Sequence, residues 1–398
     1  MILYRGMADG NQIHVGLLEG GGALMAIDRA DCAGGILEID LAGIVENWRY
    51  LSRKVAPAGC AAVVKADAYG LGAEAVAGAL AAAGGRRFFV ATIDEAVALR
   101  EIMPEPIEIA VLNGLTPGSA AECAARGLVP VLNDPGQIEV WERTAASRGP
   151  LPAMLQIDTG MARLGLTEAE FESLADDLRR SRSICWRSVI SHLACADEPD
   201  HPLNARQRAQ FVEARRRLAG IPASLAASSG IFLGREFHFD FVRPGAALYG
   251  VNPRADSPNP MRQIVRLNAR ILQIRDVDDG QQVGYGAAHT MSAPGRLATV
   301  AVGYADGWMR SLSHRGSGRI GGMRVPLLGR VSMDLAVFDV SAVDPSVARP
   351  GGFIELLGED FGVDAAAADA GTIGYEILTA LGRRYHRIYR DAKNDLTG

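Results

Sequence analysis

The stretch AAVVKADAYGLGAEAVAGALAAA, residues 61–83, combines an apolar strand, a glycine-containing turn and an apolar helix. Its first four residues are apolar, Lys65 follows them directly, and the helical pattern begins at Ala73. Gly70 and Gly72 lie in the turn, where glycine lets the main chain pass close to a bound group. A strand, a turn and a helix in this order form the repeating unit of α/β proteins with a parallel sheet.

The same unit recurs along the first two thirds of the chain. The predicted strands are Ile36–Asp40, Ala61–Val64, Arg87–Ala91, Ile107–Leu112, Leu128–Leu132, Ala153–Ile157, Arg187–Leu193, Ala223–Ala227 and Phe239–Val242. Helical patterns fall between most of them, and one begins at Leu41 behind Asp40, which is placed to cap it. Eight βα repeats over about 200 residues predict a closed (β/α)8 TIM-type barrel, with functional groups at the C-terminal ends of its strands. A doubly wound open sheet is the alternative.

The hydrophobic periodicity of the sequence changes after a proline-containing segment, residues 252–261. Val265, Leu267, Ala269 and Ile271 alternate with polar residues, as expected for a half-buried antiparallel strand. Further predicted strands are Leu297–Gly303, Val331–Val340, Phe353–Leu357 and Arg384–Tyr389, and one predicted helix is Thr372–Leu381. We therefore expect an N-terminal extension at 1–33, a barrel domain at 34–260 and a mainly β C-terminal domain at 261–398.

Composition excludes several classes of partner. The formal net charge is -5, with 41 basic and 46 acidic residues, so nothing predicts binding to nucleic acid or to an anionic membrane. No apolar run is long enough to span a bilayer. The five cysteines are widely spaced and form no CxxC pair, so we expect reduced thiols, no metal site and a cytoplasmic location.

Polar residues recur at or just beyond the ends of the predicted barrel strands. They are Lys65, Arg163, His192, Ser229 and Arg243. A lysine at the mouth of a strand can form a Schiff base, and a glycine-containing turn can hold an anionic group, as a pyridoxal phosphate seat requires. Arg163 is suited either to clamp a carboxylate or to pair with Asp158. His192 is either a rim histidine or a catalyst.

The second domain contributes four segments with polar tips. These are VGYGAAH with Tyr285, GYADGW with Tyr304, RVSMD with Met333 and Asp334, and TIGYEIL with Tyr375. Tyrosines beside glycines often only frame turns, but four segments with polar tips in one β domain indicate a site.

The ordered series of motifs resembles alanine racemase, a fold-type III pyridoxal phosphate enzyme, from about residue 36 to the C-terminus. The motifs are KADAYGLG, DTGMARLG, SHLACADE, ASSG, VRPGAALYG, GYGA, GYADGW, VSMD and TIGYE. The resemblance implies a barrel followed by a mainly β domain, with the strand near Ile36 joining the latter. It also implies a homodimer with shared active sites and a small amino acid as substrate.

By this resemblance, Lys65 holds the cofactor as an internal aldimine and is one of two acid/base groups. Tyr285 from the partner subunit is the other, because inversion needs proton removal and delivery on opposite faces. His192 and Arg243 match the residues that support this tyrosine, and Arg243 also matches the residue that faces the pyridine nitrogen. The implied function is interconversion of L- and D-alanine, which supplies D-alanine for peptidoglycan.

The remaining roles also follow from the resemblance. The positions that match the cofactor phosphate site are Tyr69, Ser229, Gly245, Ala246 and Tyr375. Arg163 and the backbone N–H of Met333 match the groups around the substrate carboxylate. Tyr304 and Tyr375 match side chains that narrow the entrance.

One departure concerns Gln156, which stands where many relatives have a carbamylated lysine that orients the arginine. Gln156 cannot carry a carbamate, so Arg163 must be held by a neutral amide, by a bound anion or by Asp158. The alternative functions are a broad-specificity or serine-preferring racemase, a non-catalytic pyridoxal phosphate carrier and a fold-type III decarboxylase. The β domain argues against the carrier, and GYGA and VSMD fit the decarboxylase less well.

Overall fold

The computed structural model describes residues 29–391, which divide into two units. The barrel unit comprises Asp40–Ile264, and the β unit comprises the residues up to Ile39 together with Val265–Tyr389. Most of the predicted N-terminal extension, up to residue 28, lies outside the described residues.

The strands of the barrel unit are short and parallel. They are β2 (Gly59–Cys60), β3 (Ala62–Val63), β4 (Arg87–Val90), β5 (Glu108–Val111), β6 (Val129–Leu132), β7 (Leu151–Gln156), β8 (Ile184–Ile190), β9 (Ala223–Ser224) and β10 (Phe241–Val242). Strands β3 to β9 pair in chain order, and β10 pairs with β2. The N–H of Asp240 donates to the carbonyl of Ala223, which joins β10 to β9. Only Ala61 separates β2 from β3, so the ring closes and the predicted barrel is confirmed.

Side-chain caps begin five of the eight helices within residues 40–264. The eight helices are α2 (Leu41–Val55), α3 (Lys65–Gly70), α4 (Ala73–Ala82), α5 (Ile93–Ile102), α6 (Ala120–Ala125), α7 (Pro135–Ala146), α8 (Glu168–Arg180) and α9 (Pro202–Arg217), after a short α1 (Arg29–Cys32). The Asp40 carboxylate accepts the N–H of Gly43 at 2.8 Å, which confirms the predicted cap of α2. Thr92 and Thr167 begin α5 and α8 with capping boxes.

The β unit contains one large antiparallel sheet and a small hairpin. Its strands are β1 (Gly35–Asp40), β11 (Val265–Val277), β12 (Gln282–Val283), β13 (His289–Thr290), β14 (Gly295–Val300), β15 (Ser317–Ile320), β16 (Met323–Leu328), β17 (Ala336–Asp339), β18 (Phe353–Leu357) and β19 (His386–Arg390). The sheet order is β14-β17-β16-β15-β18-β11-β1-β19, and β14 also pairs with β11, which closes six of the strands into a ring. Leu37 of β1 lies opposite Leu267 of β11, so the first strand of the chain belongs to this sheet.

Two details of the β unit differ from the sequence predictions. The predicted strand Val331–Val340 is wrong in its first half, because the N–H of Ser332 donates to the carbonyl of Leu335 and closes a turn before β17 begins. Within Val265–Tyr389 the β unit also has two α-helices rather than one, α10 (Val363–Ala370) and α11 (Gly374–Ala380). The apolar alternation predicted for β11 is confirmed, since Leu267, Ala269 and Ile271 are all fully buried.

Candidate active site

Lys65 lies two residues after the end of β3 and starts a turn of unusual handedness. The next four residues, Ala66–Tyr69, all have positive φ values between 52° and 57° and form a left-handed helical turn. Left-handed helical conformation disfavours residues with a Cβ by about 1–2 kcal/mol each, so surrounding contacts must hold the turn. The sequence predicted a glycine-containing turn here but not its handedness.

Two carboxylates bind backbone N–H groups of this turn and the residues after it. Asp67 accepts the N–H of Ala73 at 2.7 Å, at the start of α4. Glu95, in the first turn of α5, accepts the N–H of Ala66 at 2.6 Å. We did not single out Glu95 from the sequence, although the TIDE motif at 92–95 is a capping-box signature.

The Lys65 amine lies among other charged groups of the barrel unit. Burial and the positive charge of Arg163 lower the pKa of Lys65, while Glu95 acts in the opposite direction. A lysine with a lowered pKa has more of the neutral amine that acts as a nucleophile or base. This environment fits a lysine that bonds covalently to an aldehyde.

Arg243 is buried and bonds to neutral acceptors rather than to a carboxylate. Its guanidinium donates to the carbonyl of Ser224 at 2.9 Å, to the Ser224 hydroxyl at 2.6 Å and to the carbonyl of Ser191 at 2.6 Å. Burial lowers the pKa of Arg243 to about 10, so the group stays cationic at neutral pH. The site therefore contains a fixed positive charge with no acidic partner among residues 29–391.

His192 lies close enough to this charge to be affected by it. Burial lowers the pKa of His192 to about 3, with further contributions from Arg243, Arg163 and Lys65. The imidazole is therefore neutral at physiological pH. The amide of Gln207, which is fully buried, donates to the His192 carbonyl at 2.9 Å and fixes the backbone there.

Two short 3-10 helices, Ser229–Phe232 and Ala246–Tyr249, form a cradle of backbone donors. The buried N–H groups of Gly230 and Ala246 have no hydrogen-bond partner among the described residues. Buried N–H groups at helix starts are suited to anion binding, so this cradle fits the phosphate of a cofactor.

The loops that carry the cradle leave no room for a side chain at one position. A Cβ at Gly245 would lie 2.3 Å from the Tyr69 hydroxyl oxygen. The hydroxyl of Ser228 accepts the N–H groups of Gly245 and Ala247 at 3.1 and 3.2 Å. Ser228 thus ties the two loops together, while Ser229 begins the first 3-10 helix.

The loop after β7 places Arg163 in an exposed position. The carboxylate of Asp158 accepts the N–H groups of the three loop residues 160–162, at 2.8, 2.8 and 3.0 Å. The amide of Gln156 donates to the Leu164 carbonyl at 3.0 Å. Both side chains therefore shape the loop, and neither they nor any other described residue bonds to the Arg163 guanidinium. Pairing of Arg163 with Asp158, one of the alternatives from the sequence, is not observed.

In the β unit, Tyr285 lies in the turn between β12 and β13. It is 72% exposed, which is the largest fraction among the exposed large apolar and aromatic side chains of the described residues. Gly286 follows it with a φ of 70°, and a Cβ there would be 3.2 Å from the Arg330 guanidinium. The turn therefore presents the phenol to solvent and packs closely against Arg330.

Tyr304 and Met333 lie on two adjoining segments of the β unit. The N–H of Tyr304 donates to the Ser332 carbonyl at 3.0 Å, and the N–H of Ala305 donates to the Met333 carbonyl at 2.9 Å. Tyr304 also lines an open cleft of about 620 Å³ that reaches the start of α11, where Tyr375 is 38% exposed.

Arg384 links these segments through two ion pairs. Its guanidinium contacts Asp306 at 2.9 Å and Asp334 at 2.7 Å. Asp334 is therefore part of a salt-bridge network next to Met333. Arg384 is not predictable as a site residue from the sequence, because no local pattern distinguishes it from other arginines.

Within residues 29–391, no group of three or more histidine, cysteine, aspartate or glutamate side chains could hold a metal ion. The helices of the same range include none that is both long and apolar enough to cross a membrane.

Comparison with known proteins gives consistent results over nearly the whole chain. Residues 39–253 match the family model of the alanine racemase N-terminal domain, and residues 264–389 match that of the C-terminal domain. An alanine racemase of Rhodospirillum rubrum is 52% identical over 90% of this chain and 96% of its own. A protein of Mesorhizobium japonicum named "Alanine racemase, catabolic" is 49% identical over 90% of this chain and 93% of its own.

Solved structures show the same likeness. The alanine racemase of Bartonella henselae, described as having covalently bound pyridoxal phosphate, superposes with a TM-score of 0.87 at 41% identity. That comparison covers 90% of this chain and 100% of the other. The biosynthetic alanine racemase of Pseudomonas aeruginosa gives a TM-score of 0.83 at 34% identity, with the same coverage.

Proposed function

Because the chain belongs to the alanine racemase family, we propose that it interconverts L- and D-alanine by a two-base mechanism with Lys65 and Tyr285 as the proton carriers. The observation that supports this most directly is the grouping of Lys65, Arg163, His192 and Arg243 beyond the barrel strands, beside a cradle of unpartnered N–H groups. The enzyme is an isomerase of this family, and its cofactor is pyridoxal phosphate.

The described residues fit the phosphate of the cofactor and, at Lys65, its aldehyde. The N–H groups of Gly230 and Ala246, with Ser229, Gly245 and the Tyr69 hydroxyl around them, suit a phosphate, and we assign Tyr375 to the same end by family resemblance. When bound, the cofactor withdraws the electron pair that remains after the substrate loses its Cα proton.

We propose that Arg243 and His192 set the electrostatic environment of the cofactor. Arg243 keeps its positive charge, and by family resemblance it would hold the pyridine end of the cofactor, where a cation would disfavour protonation of the ring nitrogen. His192 stays neutral beside it and can exchange hydrogen bonds without adding charge.

We assign the proton transfers to two groups of different chemistry. The Lys65 amine holds the cofactor and carries a proton on one face of the substrate Cα. The Tyr285 phenol carries a proton on the opposite face. Racemisation needs both groups, since a single base would return the proton to the face it came from.

We assign the substrate-binding groups by family resemblance. Arg163, whose guanidinium has no partner among residues 29–391, and the backbone N–H of Met333 hold the substrate carboxylate. Tyr304 and Tyr375 narrow the entrance, which favours the methyl side chain of alanine. Turnover of L-serine, L-lysine and L-arginine beside L-alanine tests this preference, and equal turnover of all four would contradict it.

We further propose a homodimer in which Tyr285 serves the site of the other protomer. A phenol that is 72% exposed in the protomer lacks the enclosed surroundings that proton transfer needs. A partner surface would supply them.

We also propose that the enzyme acts in the cytoplasm and supplies D-alanine for peptidoglycan. Disruption of its gene should then make growth depend on added D-alanine. Growth without D-alanine, in a strain with no second alanine racemase activity, would contradict this role.

The two-base assignment is tested with Lys65→Ala and Tyr285→Phe. Lys65→Ala should lose the visible absorbance of bound cofactor, whereas Tyr285→Phe should keep it. Tyr285→Phe should also fail mainly in abstracting the Cα proton of one enantiomer, measured by solvent deuterium incorporation from L- and from D-alanine. Tyr50→Phe is the matched control, because Tyr50 is an exposed tyrosine of α2. Racemisation by Tyr285→Phe at the wild-type rate would refute the assignment.

A further inference from the structure

The carboxylate of Glu95 connects two neighbouring βα loops of the barrel unit. One oxygen accepts the N–H of Ala66 at 2.6 Å. The other accepts the N–H groups of Ala91 at 2.7 Å and Thr92 at 3.2 Å, where β4 passes into α5. A single half-buried side chain thus joins the residue that follows Lys65 to the adjacent strand end.

Ala66, which donates its N–H to Glu95, is the first residue of the left-handed turn. The first N–H groups of any helix lack an acceptor within the helix, and here the side chain of Glu95 supplies one for Ala66. The four left-handed residues are held in a disfavoured conformation, which persists only where other contacts determine it. Glu95 is therefore placed to fix the direction in which Lys65 leaves the backbone.

Glu95 also contributes negative charge near the Lys65 amine. The charged or titratable groups that influence Lys65 are Arg163 and His192 on the loops after β7 and β8, and Glu95 on α5. Of these, only Glu95 carries negative charge. It raises the pKa of Lys65 against the effects of burial and of Arg163.

We propose that Glu95 is a positioning residue for Lys65, acting through the Ala66 backbone N–H to hold the left-handed turn from which the lysine reaches the cofactor. This inference rests on the proposed role of Lys65. It assigns Glu95 no contact with substrate or cofactor.

The chain provides a matched control at Glu170. Glu170 forms the same kind of capping box at the start of α8, where its carboxylate accepts the N–H of Thr167 at 2.9 Å and the Thr167 hydroxyl at 2.8 Å. Its carboxylate bonds to no residue of the Lys65 turn. Glu170→Gln therefore reproduces the loss of a helix cap without disturbing Lys65.

The test uses holoenzyme of the wild type, Glu95→Gln, Glu95→Ala and Glu170→Gln. Three quantities are measured: the affinity for pyridoxal phosphate, the pH titration of the absorbance of bound cofactor, and the fraction of Lys65 that carries cofactor after borohydride reduction and peptide mapping. Melting temperature is recorded alongside. The glutamine variant removes the charge and keeps one acceptor oxygen, which can serve Ala66 or the start of α5 but not both. The alanine variant removes the charge and both acceptors.

We expect Glu95→Ala to lose cofactor affinity by about tenfold or more, and Glu95→Gln to lose less. The absorbance titration of Glu95→Gln should move to lower pH, because a charge that favours the protonated nitrogen is gone. Glu170→Gln should change only the melting temperature, by an amount similar to Glu95→Gln.

Two results would be decisive against the proposals. If every Glu95 variant that folds matches Glu170→Gln in cofactor affinity and in its titration, Glu95 is only a helix cap and the inference is refuted. If wild-type protein is labelled at a lysine other than Lys65, the proposed function itself fails, whatever the Glu95 variants do. Should Glu95→Ala not fold, the comparison of the two glutamine variants still decides the question.

Discussion

At the scale of single residues, Gly245 shows how a missing side chain helps form the cofactor cradle. The hydroxyl of Tyr69 occupies the space that a Cβ at residue 245 would need, with only 2.3 Å between the two atoms. The φ of Gly245 is -124°, so the requirement for glycine comes from space and not from backbone strain.

We predict that Gly245→Ala weakens cofactor binding. The methyl group would displace the Tyr69 phenol, and loss of one hydrogen bond to a charged group corresponds to roughly 1.5–3 kcal/mol, or about tenfold or more in affinity. Equilibrium titration with pyridoxal phosphate measures this. Gly78→Ala is the control, because a Cβ at Gly78 meets no atom within 4 Å. Unchanged affinity in Gly245→Ala would show that Tyr69 is not part of the cradle.

His192 leads to a prediction about pH. Its pKa is about 3 in the folded protein and 6.5 for the free side chain, so between these values the unfolded chain binds a proton that the folded chain does not. Stability from this group is therefore fully present above about pH 6.5 and is lost as the pH falls toward 3. Between pH 7.5 and pH 5, the free energy of unfolding should fall less in His192→Gln than in the wild type. Denaturant unfolding of cofactor-saturated protein at the two pH values measures this. Equal losses would contradict the neutral state assigned to His192.

At the scale of secondary structure, helices of opposite handedness lie close together in the chain. The left-handed turn Ala66–Tyr69 ends at Gly70, and the right-handed helix α4 starts three residues later at Ala73. Alanine is the best residue for a right-handed helix and is disfavoured in a left-handed one. The same substitution should therefore have different effects in the two helices.

We predict that Ala79→Gly in α4 destabilises the fold by about 1 kcal/mol, the ordinary effect of glycine in a helix. Ala66→Gly should be neutral or stabilising by up to about 1 kcal/mol, because relief of the left-handed conformation exceeds the entropy that glycine adds to the unfolded chain. The bond from the Ala66 N–H to Glu95 survives this change. Chemical denaturation measures both, and equal destabilisation would contradict the handedness of the turn.

Secondary structure was predicted well where a periodic pattern extends over several residues. The alternation in β11 and the cap of α2 needed only local information, because side-chain direction and capping depend on neighbours in the chain. The predicted strand Val331–Val340 forms only from Ala336 to Asp339. Its backbone turns back at Ser332, and the Met333 carbonyl bonds to Ala305 on another segment.

At the scale of the whole molecule, the proposed exchange of Tyr285 between protomers predicts complementation. Lys65→Ala and Tyr285→Phe homodimers should both be inactive. A heterodimer of the two has one site with both intact residues, so random mixing should restore about a quarter of wild-type activity. Denaturation and joint refolding followed by racemase assay measures this.

The control for complementation is the Lys65→Ala, Tyr285→Phe double variant mixed with each single variant, which should restore nothing. If mixing the single variants also restores nothing while co-purification of two differently tagged variants shows heterodimers, the two residues serve the same protomer. In that case the shared-site proposal is wrong, although the catalytic roles could still hold.

The sequence by itself determined the periodicities of two and 3.6, the position of Lys65 at a strand end and the order of the motifs, because each depends on residues close together in the chain. Only the tertiary structure decided the left-handed turn, the Ser224 and Ser191 partners of Arg243 and the reach of Glu95 to Ala66, 29 residues away. The left-handed conformation of Ala66–Tyr69 runs against the local preference of residues with a Cβ, so only contacts from other segments can impose it. The sequence specifies those contacts only once the barrel has brought the segments together.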